Sequence, residues 1–232
     1  MEQAKQAHHE KKPEPIEKSI DKVLYALIAI AVFATLAIIF IPNINPFSNK
    51  ISYTGPGGEK FEIIKSKIGT VPIYTFRINV LYGKNLLKPY EIPLRNQPKT
   101  LKDISIDKSV KTNILSSKGI FITMDPELPE ATNMSASIAG IQLAKVIGTA
   151  DYGVFKIPTQ GAFTKSISKA NESEYPVKTC QDANQEIKII YLKLGNDTKA
   201  YTQGNCVIIE AKNSDDLIKA SEKTVLNLLN VM

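Results

Sequence analysis

Residues 23–41 read VLYALIAIAVFATLAIIFI, a run with no charged residue in which only Tyr25 and Thr35 carry a polar group. As a helix rising about 1.5 Å per residue it is about 28 Å long, close to the bilayer hydrocarbon core of about 30 Å. A helix of a soluble core would keep a polar face, and this one has none. A secretory signal has a shorter apolar region, roughly 7–15 residues, and a small-residue cleavage site. Here Pro42 and PNINPFS follow instead. The run is therefore predicted to be an uncleaved, single-pass membrane anchor in contact with lipid. Its small residues Ala31 and Thr35 lie four apart without a GxxxG pattern, so passive anchoring is expected rather than helix pairing. Lys5, Lys11, Lys12, Lys18 and Lys22 precede the span, whereas only Lys50 and Lys60 fall in the twenty residues after it. The positive-inside rule then places the N-terminus in the cytoplasm and everything after the span outside.

The span divides the chain. Residues 1–22 balance five lysines against Glu2, Glu10, Glu14, Glu17 and Asp21 and are expected to be a disordered cytoplasmic tail. Its adjacent His8 and His9 lack the i, i+4 spacing of a helical metal site. Residues 42–58, rich in Pro, Gly, Asn and Ser, read as a linker, and 59–232 as an extracytoplasmic domain. Because the tail is neutral, the whole +6 charge of the chain lies beyond the span. The basic residues are scattered and not interleaved with aromatics, so no nucleic-acid partner is expected.

The domain reads as α+β, a mixed sheet with two main helices. EKFEIIKSK, VPIYTFRINV and LLKPYEIPL carry β-branched and aromatic residues between Gly and Pro signals. TLKDISIDKSVKTNILSS allows one or two short helical turns. A strand over 119–124, a helix over 135–148 capped by Ser135, and a strand over 152–157 suit a parallel crossover. IKIIYLKL and TKAYTQ around GND read as a hairpin, followed by the strand NCVIIEA. The last helix is capped by Asn213 or Ser214 and packs through Leu217, Ser221, Val225, Leu228 and Leu229.

Both histidines lie in the tail, so the domain has no material for Ser-His-Asp or Cys-His nucleophiles or for histidine-bound zinc. No phosphate-binding glycine motif follows a strand, no cofactor is implied, and GPGG at 55–58 reads as a turn. The remaining chemistry is carboxylate chemistry. Asp125, Glu127 and Glu130 follow the strand 119–124, and Thr159 and Gln160 follow the strand 152–157. Parallel neighbours would bring both loops to one carboxyl edge, where a hard cation or ligand could bind. A solvated acidic loop is the plainer alternative. Three N-x-[ST] sequons, at Asn133, Asn171 and Asn196, offer glycosylation sites.

TCQDANQEIKIIYLKLG, the run GNDTKAYTQGNCVIIEAKNSDDLIKASEKTVLNLLNVM that follows it, and YEIPLRNQPKTLKDI upstream resemble archaeal single-pass membrane proteins with an extracytoplasmic domain. The resemblance spans about residues 50–232. It implies an envelope protein with a cysteine pair and carries over no catalytic residue. The compartment also decides the chemistry of Cys180 and Cys206. Two thiols make an incomplete zinc site, no CxxC is present, and outside the cytoplasm a bridge is expected. The functional expectation is a membrane-anchored binding or structural protein of the envelope with a protein partner there. The alternatives are an accessory subunit of a surface filament or secretion complex, and a carboxylate- or metal-dependent enzyme.

Overall fold

The computed structural model describes residues 49–79, 81–82, 85–86, 89–149, 153–167 and 175–232. The expected tail, the span 23–41 and the sequon at Asn171 lie outside the described residues. Among the described residues no helix is long and apolar enough to cross a membrane. Residues Asn49–Met232 form one compact unit.

The unit opens with an antiparallel sheet. Strands β1 (Lys50–Thr54), β2 (Lys60–Ile68) and β3 (Val71–Ile78) are joined by β6 (Tyr90–Leu94) in the order β1-β2-β3-β6. Two-residue strands β4 (Leu81–Tyr82) and β5 (Asn85–Leu86) pair between β3 and β6 in sequence. Strand β1 lies inside the stretch 42–58 that reads as a linker. Its alternating burial against β2 makes it part of the fold, and the Pro-Gly signals belong to the β1–β2 turn alone. The β2–β3 hairpin turns on Gly69, whose φ of 60° suits the first central position of a type II′ turn. Ile63, Phe76, Ile92 and Leu94 alternate to the inner face and are buried.

The second sheet is mixed. It contains β7 (Ser105–Ile106), β8 (Gly119–Met124), β9 (Thr159–Phe163), β10 (Ile187–Leu194), β11 (Lys199–Gln203) and β12 (Cys206–Ala211), ordered β7-β11-β12-β10-β8-β9. The helices are α1 (Lys108–Leu115), α2 (Glu130–Ile147) and α3 (Ser214–Leu228). The class is α+β as expected, with three α-helices among the described residues rather than two main ones. Helices α2 and α3 pack on each other and on one face of this sheet. The inner face of the four-stranded sheet joins the same core. Helix α3 is consequently buried on more than the one expected face, with Ile218, Glu222 and Leu226 inside as well as Leu217, Val225 and Leu228. Asn213 is its cap, accepting from the Asp216 N–H at 2.9 Å. Its C-terminus closes in a Schellman motif, with Asn230 at φ 58° and Val231 N donating to Leu226 O.

Three local expectations are corrected. The hairpin lies one element later than expected: β11 pairs antiparallel with β12, turning on Gly204, and β10 pairs with β12 in parallel. Every residue of CVIIEA is buried, so this strand takes a central place, whereas the more polar KAYTQ lies farther out. Helix α2 starts at Glu130, so Ser135 is a buried interior residue and not its cap. The strand after α2 is 159–163 rather than 152–157. Val154 and Phe155 donate to Val146 O and Ile157 donates to Ile147 O, satisfying carbonyls at the end of α2. Lys156, at φ 56°, interrupts the extended path despite the β-prone residues around it.

The far face of the sheet carries a small second core of Ile189, Cys206 and Ile208. A 3-10 turn, Cys180–Asp182, covers it. The Cys180–Cys206 disulfide joins the two, with Cα atoms 5.2 Å apart, so the expected bridge is present. The turn has its own capping box: the Asp182 carboxylate accepts from Thr179 N at 2.7 Å and Gln181 N donates to Thr179 Oγ1. The Thr179 N–H first, and the Thr179 hydroxyl after it, hold Asp182 below the usual carboxylate range.

Candidate functional site

The carboxylates at 125–130 and the pair Thr159 and Gln160 occupy opposite ends of the β8–β9 pair. Asp125 and Glu127 follow the carboxyl end of β8. The register matches Ile120 with Thr159 and Phe121 with Gln160, at the amino end of β9. Four residues of strand, about 13 Å, separate the ends. The two groups therefore do not converge, because the strand that was expected to end before Thr159 begins there. Lys165 Nζ lies 2.5 Å from Glu127 and 3.3 Å from Asp125 and is raised above its ordinary range by both, Glu127 most. Glu130 is exposed at the start of α2. Among the described residues no group of three or more His, Cys, Asp or Glu is placed to hold a metal ion.

Two sequons have described surroundings. Asn196 is exposed in the β10–β11 connection, with its N–H donating to Glu210 Oε1 at 3.1 Å. Asn133 is half-buried within α2, and its amide donates to Pro126 O and Leu128 O, tying down the preceding loop. A glycan on that nitrogen would displace at least one of these bonds.

Two buried carboxylates are structural anchors. Glu210, on the disulfide-bearing face, is held below its ordinary range by Lys193 first, at 3.0 Å, then by Asp197 N–H and the Tyr201 hydroxyl. Glu222, on α3, accepts from Arg95 N at 2.5 Å, Asn96 N at 3.0 Å, Asn96 Nδ2 at 2.8 Å and Gln142 Nε2 at 2.9 Å. Burial pushes its carboxyl up, and these donors pull it back. It locks the segment after β6 onto both helices.

The feature shaped to receive something is a cleft of about 330 Å³ between α2 and the sheet edge at β9. Ile122, Leu192 and Phe163 supply apolar walls, and Gly140 and Ala144 let the helix side recede. Gly161 faces the cleft, and a Cβ built there would meet nothing within 4 Å. Ile141, 55% exposed, stands at its rim, and Met134 lies two turns earlier on α2, also exposed. Thr159 Oγ1 lines the cleft but donates to Ile157 O. Among the described residues that line it, Tyr175 is the one ionisable side chain.

The strand beside the cleft is a sheet edge. Thr164 N donates to Met124 O and Ile120 N donates to Pro158 O, so even-numbered residues of this strand face β8. Odd-numbered ones face outward. Phe163 already uses that side: its N–H donates to Pro176 O, its carbonyl accepts from Lys178 N, and it bridges Val177 in parallel. No backbone hydrogen bond among the described residues continues this pairing to Gly161. The sequence reading missed this cleft. Its one available signal was the glycine inside TQGAF, since a glycine within a strand often marks a close approach.

Comparison with protein-family models, with curated proteins and with solved structures finds no match to this chain.

Proposed function

We propose that the chain is a membrane-tethered binding protein of the cell envelope, anchored through residues 23–41. Its folded domain receives an extended segment of another envelope protein at the β9 edge. The observation that carries this reading is the pairing of an apolar cleft with a strand edge whose outward backbone groups are partnered at Phe163 and, among the described residues, not continued at Gly161. A partner strand adds main-chain hydrogen bonds along such an edge and sends alternate side chains into a pocket. A volume near the low end of ligand pockets, which run about 300–1,000 Å³, suits one or two large apolar side chains. An accessory role in a filament or secretion complex is one case of the same mode. The enzyme alternative is less favoured, since Lys165 already occupies Asp125 and Glu127.

A photo-crosslinking residue at position 141, in native membranes, tests the reading. The expected result is one defined protein adduct that disappears when Gly161→Leu fills the cleft. That variant should keep wild-type stability within about 0.5 kcal/mol, as the space beside Gly161 is open. No protein adduct, or an adduct indifferent to Gly161→Leu, would overturn it.

A further inference from the structure

The β2–β3 hairpin outruns its sheet. Strand β1 covers β2 from Lys60 to Ile64, with Lys65 N donating to Asn49 O, and β6 covers β3 only from Tyr74 onward. Ser66–Ile68 and Val71–Ile73 therefore project as a two-stranded ribbon that no other described strand covers, about 10 Å beyond the last covered pair. Register puts Ile68, Val71 and Ile73 on one face of it and Lys65 and Lys67 on the other. Ile68 is 72% exposed and Val71 37%. Neither lysine forms an ion pair with a described residue. An exposed apolar pair beside two lysines that have no ion-pair partner among the described residues suits an anionic lipid surface better than water.

The path of the chain specifies which surface. Strand β1 runs antiparallel to β2, so the polypeptide enters the sheet at Asn49 and Lys50, beside Ile64 and Lys65, on the hairpin-tip side. The β1–β2 turn at Gly55–Gly58 is at the opposite end. Between residue 41 and Asn49 lie seven residues, which extend at most about 25 Å. With 23–41 in the bilayer, the sheet end that is tied close to the membrane is the one bearing the ribbon. We propose that the β2–β3 tip is a second membrane contact. Ile68 and Val71 enter the interfacial layer, while Lys65 and Lys67 meet the headgroups of anionic lipid in the same membrane. The inference rests on the anchored reading and adds an orienting contact to it.

Both native cysteines are in the disulfide, so Ile68→Cys provides a single thiol for an environment-sensitive fluorophore. Val71→Cys is a second position, and Pro56→Cys, at the far end of the same sheet, is the control. The full chain is placed in nanodiscs of phosphatidylcholine with or without phosphatidylglycerol. The expected result is a blue-shifted tip signal quenched by headgroup nitroxide lipid in the anionic discs, lost in Lys65→Glu/Lys67→Glu, and absent at position 56. A tip label that stays water-exposed in both discs, in a chain that resists alkaline carbonate extraction, overturns the lipid contact and spares the anchor. Release by carbonate overturns the anchor and this inference with it. Shielding in native membranes but not in pure lipid assigns the tip to a protein partner and overturns the lipid contact.

Discussion

At the scale of single residues, Glu222 shows how one carboxylate can join distant segments. Its two oxygens each accept from one backbone N–H, Arg95 on Oε1 and Asn96 on Oε2. An amide at this position has only one acceptor oxygen. Glu222→Gln is expected to set an NH₂ against one of those N–H groups and to destabilise the domain by about 1–3 kcal/mol, read as a lower denaturant midpoint at unchanged slope. The residue lies on the final helix among apolar neighbours, where an acid is normally solvated. Nothing local in SEKTV marks it as buried, because its two backbone donors are more than 120 positions away and Gln142 is 80 away. Cys180 and Cys206 were legible for the opposite reason: a chemical rule about compartment constrains two cysteines whatever their neighbours are.

At the scale of elements, the disulfide ties the 3-10 turn at 180–182 to the first residue of β12, over a core of few residues. It closes a loop with a sequence separation of 26. In the chain-entropy model such a bridge contributes about 3.5 kcal/mol. Cys180→Ser/Cys206→Ser is expected to lower the melting temperature by about 7–14 °C, measured by differential scanning calorimetry. The denatured, unreduced wild type should show no free thiol. Strands β2, β3, β8 and β12 were readable from their β-branched and aromatic content, although the structure leaves Ile68 of β2 exposed and buries Glu210 of β12. Strand β9 was not, because TQGAF is a poor strand by propensity and owes its state to the β8 edge and to Val177.

At the scale of the whole molecule, the proposed arrangement is a tether, a sheet end held toward the membrane, and a partner-binding edge on the second sheet. It predicts a fixed sidedness. In intact cells a membrane-impermeant maleimide is expected to label Pro56→Cys, whereas Ala4→Cys should react only after permeabilisation. The reverse pattern would overturn the proposed topology and with it the oxidising compartment from which the bridge was expected.

The sequence by itself determined the α+β class, most strands of the central sheets, the last helix with its cap at Asn213 or Ser214, and the cysteine pairing. These follow from local periodicity, cap chemistry and the small number of thiols. Only the tertiary structure decided that β12 separates β10 from β11, that Thr159 and Gln160 lie away from Asp125, and that Glu222 is buried. It also revealed the cleft at Gly161 and the projecting ribbon of Ile68 and Val71. Each depends on which strands become neighbours and where their pairing stops. Burial of the most apolar strand at the centre settles that order over the whole chain, and no window of adjacent residues contains it.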